Sequence, residues 1–373
     1  MKPVRICYVI AGLDVGGAEM SLLRLILSQS DSLYHHTVVV LTPGGKLLPR
    51  FEAAKIEVVE LSFARSPIRS FLKLIRILQG LRPDLVHTWL YHADLIGGIA
   101  AKLAGVGPVV WCVHSTNFQS SRWDRTLLLR RLCALVSRWI PRAIVFVAQS
   151  ARALHVRLGY KARLMMVIPN GFVVRPVPPS PETARLRSLY GTAGVIGWVG
   201  RYNPDKDIGC FLDALRLLAN GGTHFTAVMV GSGLEGTNVE LAALIKTRSL
   251  GDRIHLLGLR ADVTSCLASF DIFCLSSRSE AFPLVLGEAM AASLPCVATD
   301  VGDVGYLLGD AGRIVPPRDA AALAEGLRGM LGLQETARRE IGERAAARIR
   351  THFSMESTGL QYSRMYEEVL APG

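Results

Sequence analysis

Short strings that are apolar at nearly every position alternate along the chain with stretches whose apolar residues recur every three to four positions. A string that is apolar throughout is buried on both faces, as in a parallel sheet covered by helices. Such strings predict strands at Val4–Ile10, Thr37–Leu41, Ile56–Glu60, Leu85–Thr88, Val109–Val113, Ala143–Val147 and Met166–Ile168. The segment Val173–Pro181 then carries four prolines and predicts an extended linker. Strands resume at Val195–Val199, Thr226–Val230, Ile254–Leu257, Ile272–Leu275, Pro295–Thr299 and Arg313–Val315. Helices are predicted between them, among others at Ala18–Gln29, Asp207–Asn220 and Leu284–Ala292.

The fold class that follows is α/β: two doubly wound, Rossmann-like domains facing a central cleft, residues 1–173 and 174–354. A helical tail, Met355–Leu370, comes after the second sheet, so residues 355–373 are expected to return to the first domain. Ligands of such sheets bind beyond the carboxyl ends of the strands. The chemistry is therefore sought in the loops that follow each strand.

Composition narrows the class. Half of the 373 residues are hydrophobic and a fifth are charged, which excludes a disordered chain and allows two ordinary domains. No apolar run approaches the roughly 18 residues that span a bilayer. Ile6–Leu13, behind Lys2 and Arg5, imitates a secretory leader until Asp14 interrupts it, and a buried first strand is the expected reading. The seven cysteines contain no CxxC and sit mostly in apolar strings, as reduced core thiols of a cytoplasmic protein would; no disulfide frame or metal site is expected. There is no tandem repeat, and no GxSxG, HExxH, Walker or GxGxxG motif.

Charge is unevenly spread. Residues 1–175 hold 23 Lys/Arg against 9 Asp/Glu, whereas the remainder holds 19 against 22. A basic first half suggests a polyanion or an anionic membrane as its partner, with a basic but solvated surface as the alternative. Within it, Arg69, Lys73 and Arg76 form a stripe opposite Phe71, Leu74, Ile75 and Leu78 on one predicted helix. In Arg122–Ile140, Leu128, Leu132, Leu135, Val136 and Trp139 gather on one side with Arg130, Arg131 and Arg138 opposite. The apolar side of each is expected to pack inward and the basic side to face water or anionic lipid.

Three loops carry candidate chemistry. Gly16-Gly17-Ala18-Glu19 follows the first strand and opens a helix, where adjacent glycines and free N–H groups suit a phosphate or a sugar, or simply a tight turn. Gly200-Arg201, with Lys206 five residues on, can converge on one diphosphate, or be two solvated cations. Asp205 and Asp207 imitate a metal-binding pair, but Asp207 is placed to cap the next helix. After the strand Ile272–Leu275 comes Ser276-Ser277-Arg278-Ser279-Glu280-Ala281-Phe282-Pro283, running into a helix. With Pro283 in its first turn, Glu280 lies in the loop and Glu288 inside the helix, and either carboxylate can accept bonds from vicinal hydroxyls.

Glu280-x7-Glu288, with Gly200-Arg201…Lys206 upstream and Gly16-Gly17-Ala18-Glu19 near the start, resembles the retaining family-4 glycosyltransferases of the GT-B fold, of the type that builds bacterial surface polysaccharides. The likeness runs in order through His87-Thr-Trp-Leu-Tyr-His92, His114-Ser-Thr and Ile168-Pro-Asn170-Gly171. It implies that Arg201 and Lys206 neutralise a donor diphosphate, that Glu288 holds the ribose and that Glu280 holds the transferred sugar. Backbone amides of Phe282, Pro283's neighbours Leu284 and Val285 would grip phosphate and sugar, Arg260 would neighbour the base, and His114 would lie near the reacting sugar. No metal or separate cofactor is implied; the donor substrate would be a nucleotide-diphosphate sugar, UDP-sugar favoured. The acceptor would be a saccharide, lipid-linked in the expected case, met at the inner face of the cytoplasmic membrane; nucleic acid is not expected. Ala281 stands where many relatives have glycine. A nucleotide-sugar epimerase of the same fold, or a non-catalytic sugar-nucleotide-binding subunit, remains an alternative.

Overall fold

The structure, a computed structural model, describes residues 2–29, 33–116, 125–174, 181–191 and 194–372. The chain divides into two compact units, Met1–Gly171 with Met355–Gly373, and Phe172–Ser354. Part of the proline-rich segment, residues 175–180, lies outside the described residues, as do 122–124.

The first unit runs β1 (Val4–Ile10), α1 (Gly17–Ser28), β2 (Tyr34–Val40), α2 (Leu48–Ala53), β3 (Glu57–Glu60), α3 (Pro67–Leu81) and β4 (Leu85–Trp89). It continues through α4 (Tyr91–Ala104), β5 (Val109–Val113), α5 (Arg125–Val136), β6 (Pro141–Phe146), α6 (Gln149–Arg157) and β7 (Leu164–Val167). All seven strands are parallel, in the order β3-β2-β1-β4-β5-β6-β7. The order reverses between β1 and β4, which opens a crevice at their carboxyl ends.

The second unit runs α7 (Pro181–Leu189), β8 (Gly194–Val199), α8 (Ile208–Asn220), β9 (Phe225–Val230), α9 (Val239–Lys246), β10 (Ile254–Gly258), α10 (Val263–Ala268) and β11 (Ile272–Leu275). Then come α11 (Leu284–Ala291), β12 (Cys296–Thr299), α12 (Val304–Leu308), β13 (Gly312–Val315), α13 (Ala320–Leu331) and α14 (Glu335–His352). Its six parallel strands lie β10-β9-β8-β11-β12-β13, with the reversal between β8 and β11. Trp198, Phe211, Leu215, Met229, Ile272 and Leu327 belong to one buried cluster that binds α8 and α13 to the sheet.

The last helix, α15 (Met355–Leu370), belongs to the first unit and packs on α1. Its buried Tyr366 sets its hydroxyl 2.9 Å from His87 Nδ1 and 3.4 Å from the Tyr8 hydroxyl. Tyr362 reaches Cys112 Sγ at 3.5 Å. Burial holds the His87 imidazole pKa down to about 3, with His114 adding a smaller repulsive contribution. The seven cysteines are all buried and unbonded to one another.

The two basic helices differ from each other. In α3, Leu74 and Leu78 are buried while Arg69, Lys73 and Arg76 are exposed, as the periodicity predicts. In α5 the apolar side expected to pack inward faces outward instead, next to Arg131 and Arg138, which are exposed as expected. Leu128, Leu132, Leu135 and Trp139 are 62%, 42%, 55% and 63% exposed, whereas Arg130, Cys133, Ala134 and Ser137 are buried. The physical reason is Tyr91: the Arg130 guanidinium lies over its ring, 5.0 Å from the centroid, and this stacking together with the Cys133 thiol on the Tyr91 carbonyl turns the Arg130 side inward, while Arg131 and Arg138 stay exposed.

Candidate active site

Neighbouring β8 and β11 bring their following loops together at the carboxyl edge of the second sheet. Lys206, in the short 3-10 turn Pro204–Lys206 after β8, places Nζ 2.5 Å from Glu280 Oε1 in the loop after β11. Ser277 Oγ donates to the same carboxylate oxygen at 2.7 Å. The pair is only partly screened from water, the side chains being 23% and 13% exposed. An ammonium has three donors, so Lys206 can hold Glu280 and still offer N–H groups to an anion.

The backbone around the pair is fixed by side chains that the sequence does not single out. Ser276 Oγ accepts from Trp198 Nε1 at 3.0 Å and donates to the Lys206 carbonyl at 2.8 Å, tying the two loops together. Arg278 pairs with Asp207 Oδ1 at 2.6 Å, and that oxygen also caps α8 by accepting from the Cys210 N–H at 3.3 Å. Asp207 is thus engaged as a cap, in agreement with its expected role, and has a left-handed φ of 47°. Arg201 is exposed in the same loop as Lys206, and no carboxylate pairs with it among the described residues.

Two further glycines shape the site. Gly302 has φ +56°, and a Cβ there would overlap the Glu280 carbonyl, so the loop after β12 supports the Glu280 loop from beneath. The Asp303 N–H donates to the Ala281 carbonyl at 3.0 Å in the same contact. Gly231, after β9, has φ +145°, and a Cβ there would overlap the Gly200 carbonyl. The only sequence signal for these residues is that each glycine closely follows an apolar strand.

Pro283 differs slightly from expectation. It is the N-cap of α11, one residue ahead of the first turn, because its ψ of 108° is extended. Leu284 and Val285 therefore open the helix with unpaired N–H groups. Phe282 is buried against Phe172 and Phe353, at centroid distances of 6.1 and 5.6 Å, so its backbone is the part left for a ligand. Glu288 lies one turn into α11.

Arg260 is not brought to the Lys206–Glu280 pair. Its guanidinium is held by Asp262 at 2.6 Å and by Glu182 of α7 at 2.5 Å, and these two carboxylates raise its pKa and neutralise its charge. A neutralised fork is a weak anion ligand, although its flat face stays available for stacking.

In the first unit, the β1–α1 loop places Gly16 at the N-cap of α1, and the Glu19 carboxylate folds back over it so closely that a Cβ there would push the carboxylate aside. A carboxylate over a helix start competes with an anion. Gly16 and Gly17 thus suit a neutral hydroxyl better than a phosphate. His114 follows β5, stacks on Trp89 at 4.8 Å and lies 3.2 Å from Cys112 Sγ. Burial lowers its pKa to about 3, so the ring is neutral near pH 7 and can donate or accept one hydrogen bond without charge. Leu90, beside it after β4, has φ 73° and ψ 152°, a strained conformation for a residue with a Cβ.

Known proteins resemble the chain in both of its halves. Residues 15–175 match the model of Glycosyltransferase Family 4, and residues 193–332 match that of Glycosyl transferases group 1. The UDP-Gal:alpha-D-GlcNAc-diphosphoundecaprenol alpha-1,3-galactosyltransferase of Escherichia coli is 27% identical over 240 residues, 63% of this chain and 62% of that enzyme. The chain thus spans less than two thirds of that relative's length. The phosphatidyl-myo-inositol mannosyltransferase of Mycobacterium leprae is 28% identical over 296 residues, 78% of this chain and 75% of that one. The crystal structure of Anabaena Alr3699/HepE in complex with UDP-glucose superposes with a TM-score of 0.85 at 23% identity, covering 98% of this chain and 99% of that one. With both halves matched in order and both sheets wound alike, the chain belongs to the family-4 glycosyltransferases of the GT-B fold.

Proposed function

We propose that the protein transfers a hexose from a nucleotide-diphosphate sugar, with UDP-sugar favoured, to a lipid-linked saccharide at an anionic membrane face, with retention of anomeric configuration. The observation that carries this reading is the Lys206–Glu280–Ser277 cluster at the reversal between β8 and β11, with Arg201 in the same loop as Lys206. Cations and a sugar-binding carboxylate side by side suit a diphosphate joined to a sugar, which a lone phosphate site would not need.

In this reading Arg201 and Lys206 bind the diphosphate and stabilise it as it leaves. Glu280 accepts hydrogen bonds from hydroxyls of the transferred sugar, and Glu288 from those of the ribose. The N–H groups of Leu284 and Val285 meet phosphate and sugar oxygens at the start of α11. The C1–O bond to the diphosphate breaks, the acceptor oxygen bonds C1 from the same face, and a phosphate oxygen takes the acceptor proton. Neutral His114 orients a sugar hydroxyl without competing for that proton. The relatives' names support a lipid-linked acceptor, one being a diphosphoundecaprenol saccharide and the other a phosphatidylinositol.

The test is incubation with a panel of nucleotide sugars, with and without a lipid-diphosphate saccharide. Acceptor-dependent release of nucleoside diphosphate, with an axial product from an axial donor, is expected. Conversion of free UDP-sugar to an isomer without acceptor would instead establish an epimerase. Nucleotide-sugar binding without turnover of any donor would leave a binding subunit.

A further inference from the structure

Helix α5 does not fit a surface made only to face water. Residues four and three apart share a helix face, so Leu128, Leu132 and Leu135 form one continuous ridge over two turns. Trp139 extends the ridge just beyond the helix end, where its N–H donates to the Val136 carbonyl at 3.1 Å. All four side chains are exposed, while the arginine of the opposite face is buried on Tyr91. A contiguous exposed apolar ridge of this kind marks an interaction surface.

The surroundings of Trp139 say what it meets. Two hollows of about 420 and 470 Å³ flank the indole, lined between them by Arg138, Lys161, Arg163, Lys102 and Arg142. Among the described residues, no carboxylate lines either hollow. The Arg138 guanidinium also lies 5.1 Å from the Trp139 ring centroid, so apolar and cationic groups interleave there. Helix α4 lies between α3 and α5, packing on both, so the exposed Arg69, Lys73 and Arg76 flank the same side of the unit.

We propose that α5 and the two hollows are the docking surface by which the first unit lies on an anionic bilayer. The leucine ridge enters the acyl boundary, Trp139 sits at headgroup level, and the five cations take lipid phosphates. A second copy of the chain is the poorer occupant, because a two-fold contact through this patch brings its cations against their own copies. The proposal rests on the membrane part of the proposed function and adds to it the site of contact.

The experiment measures sedimentation of the full chain with vesicles of phosphatidylglycerol and phosphatidylcholine against vesicles of phosphatidylcholine alone. The wild type is expected to sediment with the anionic vesicles at low salt, with a blue shift in emission that Trp139→Phe removes. Leu132→Asp/Leu135→Asp and Lys161→Glu/Arg163→Glu should each weaken binding by at least about tenfold, since both apolar insertion and phosphate contact are needed. Melting temperature and UDP affinity of each variant should match the wild type, which separates lost docking from lost folding. Anionic-vesicle binding that the variants leave undiminished overturns this surface alone. Indifference of the wild type to anionic vesicles overturns the surface and the membrane reading together. A lipid-free dimer that Leu132→Asp/Leu135→Asp dissociates assigns the ridge to a second copy and also overturns the proposal.

Discussion

Lys206 Nζ and Glu280 Oε1 lie 2.5 Å apart although 74 residues separate them in the chain. Their loops follow adjacent strands, so the contact exists only once β8 and β11 have paired. Each partner thereby sets the other's position before any substrate arrives.

That coupling has a kinetic signature. Glu280→Ala is expected to lower turnover far more than nucleotide affinity, by about 1.5–3 kcal/mol for a lost charged hydrogen bond. Lys206→Ala should also lower turnover, by more than about tenfold. Because the residues touch, the double variant should lose less than the sum of the two. Steady-state kinetics on the four proteins, with UDP titration by calorimetry, check this; strict additivity would separate the roles.

Nucleotide binding should divide differently. Glu288→Ala is expected to weaken free UDP, while Arg201→Ala should act mainly on turnover, by more than about tenfold. EDTA should leave wild-type activity nearly unchanged, because two cations are available for the diphosphate. A strict requirement for Mg²⁺ or Mn²⁺ would reopen the Asp205–Asp207 pair as ligands.

Gly302→Ala is expected to impair the enzyme from outside the ligand contacts. The new methyl collides with the Glu280 carbonyl and also strains a backbone at φ +56°. Turnover should fall with UDP affinity near wild type, since Glu280 moves and Glu288 does not. A drop in melting temperature with full turnover per folded molecule would show that the loop yields elsewhere.

Acid should loosen the first unit. The His87 pKa is about 3 in the folded chain, against roughly 6.5 for an unfolded histidine. Between those values the unfolded chain binds the proton and the folded chain does not, so this contribution is lost as pH falls below 6.5. The slope approaches ~1.4 kcal/mol per pH unit. Melting temperatures at pH 7 and pH 5 should therefore differ more in the wild type than in His87→Phe. Equal differences would exclude His87 as the source.

Much of this was legible in the sequence. Among the described residues, each of the thirteen strands forms at a predicted apolar string, because strands buried on both faces announce themselves by composition. The start of β2 is less visible: Tyr34 and His36 read as polar, yet they pack among Tyr8 and Tyr366. Periodicity shows which residues of α5 share a face but not which face turns inward, and Tyr91, supplied by another helix, decides that. Arg260 is similar, since its partner Glu182 is 78 residues away and sequence spacing cannot pair them. The loops of the candidate site stand out because glycine, cation and carboxylate fall directly after strands; Ser276, Ser277 and Gly302, which hold them in place, carry no distinctive pattern.

The division of the chain bears on the order in which the protein is made. Unit 1 needs Tyr362 and Tyr366 of α15 to close over His87 and Cys112, yet all of unit 2 is synthesised before that helix. At about 5–20 residues per second, roughly 180 residues keep the first sheet waiting on the ribosome for ~10–40 s with its aromatic face uncovered. The second unit, continuous in sequence, can be finished first. A chain cut short before α15 would thus carry one complete sheet and one whose aromatic face stays open.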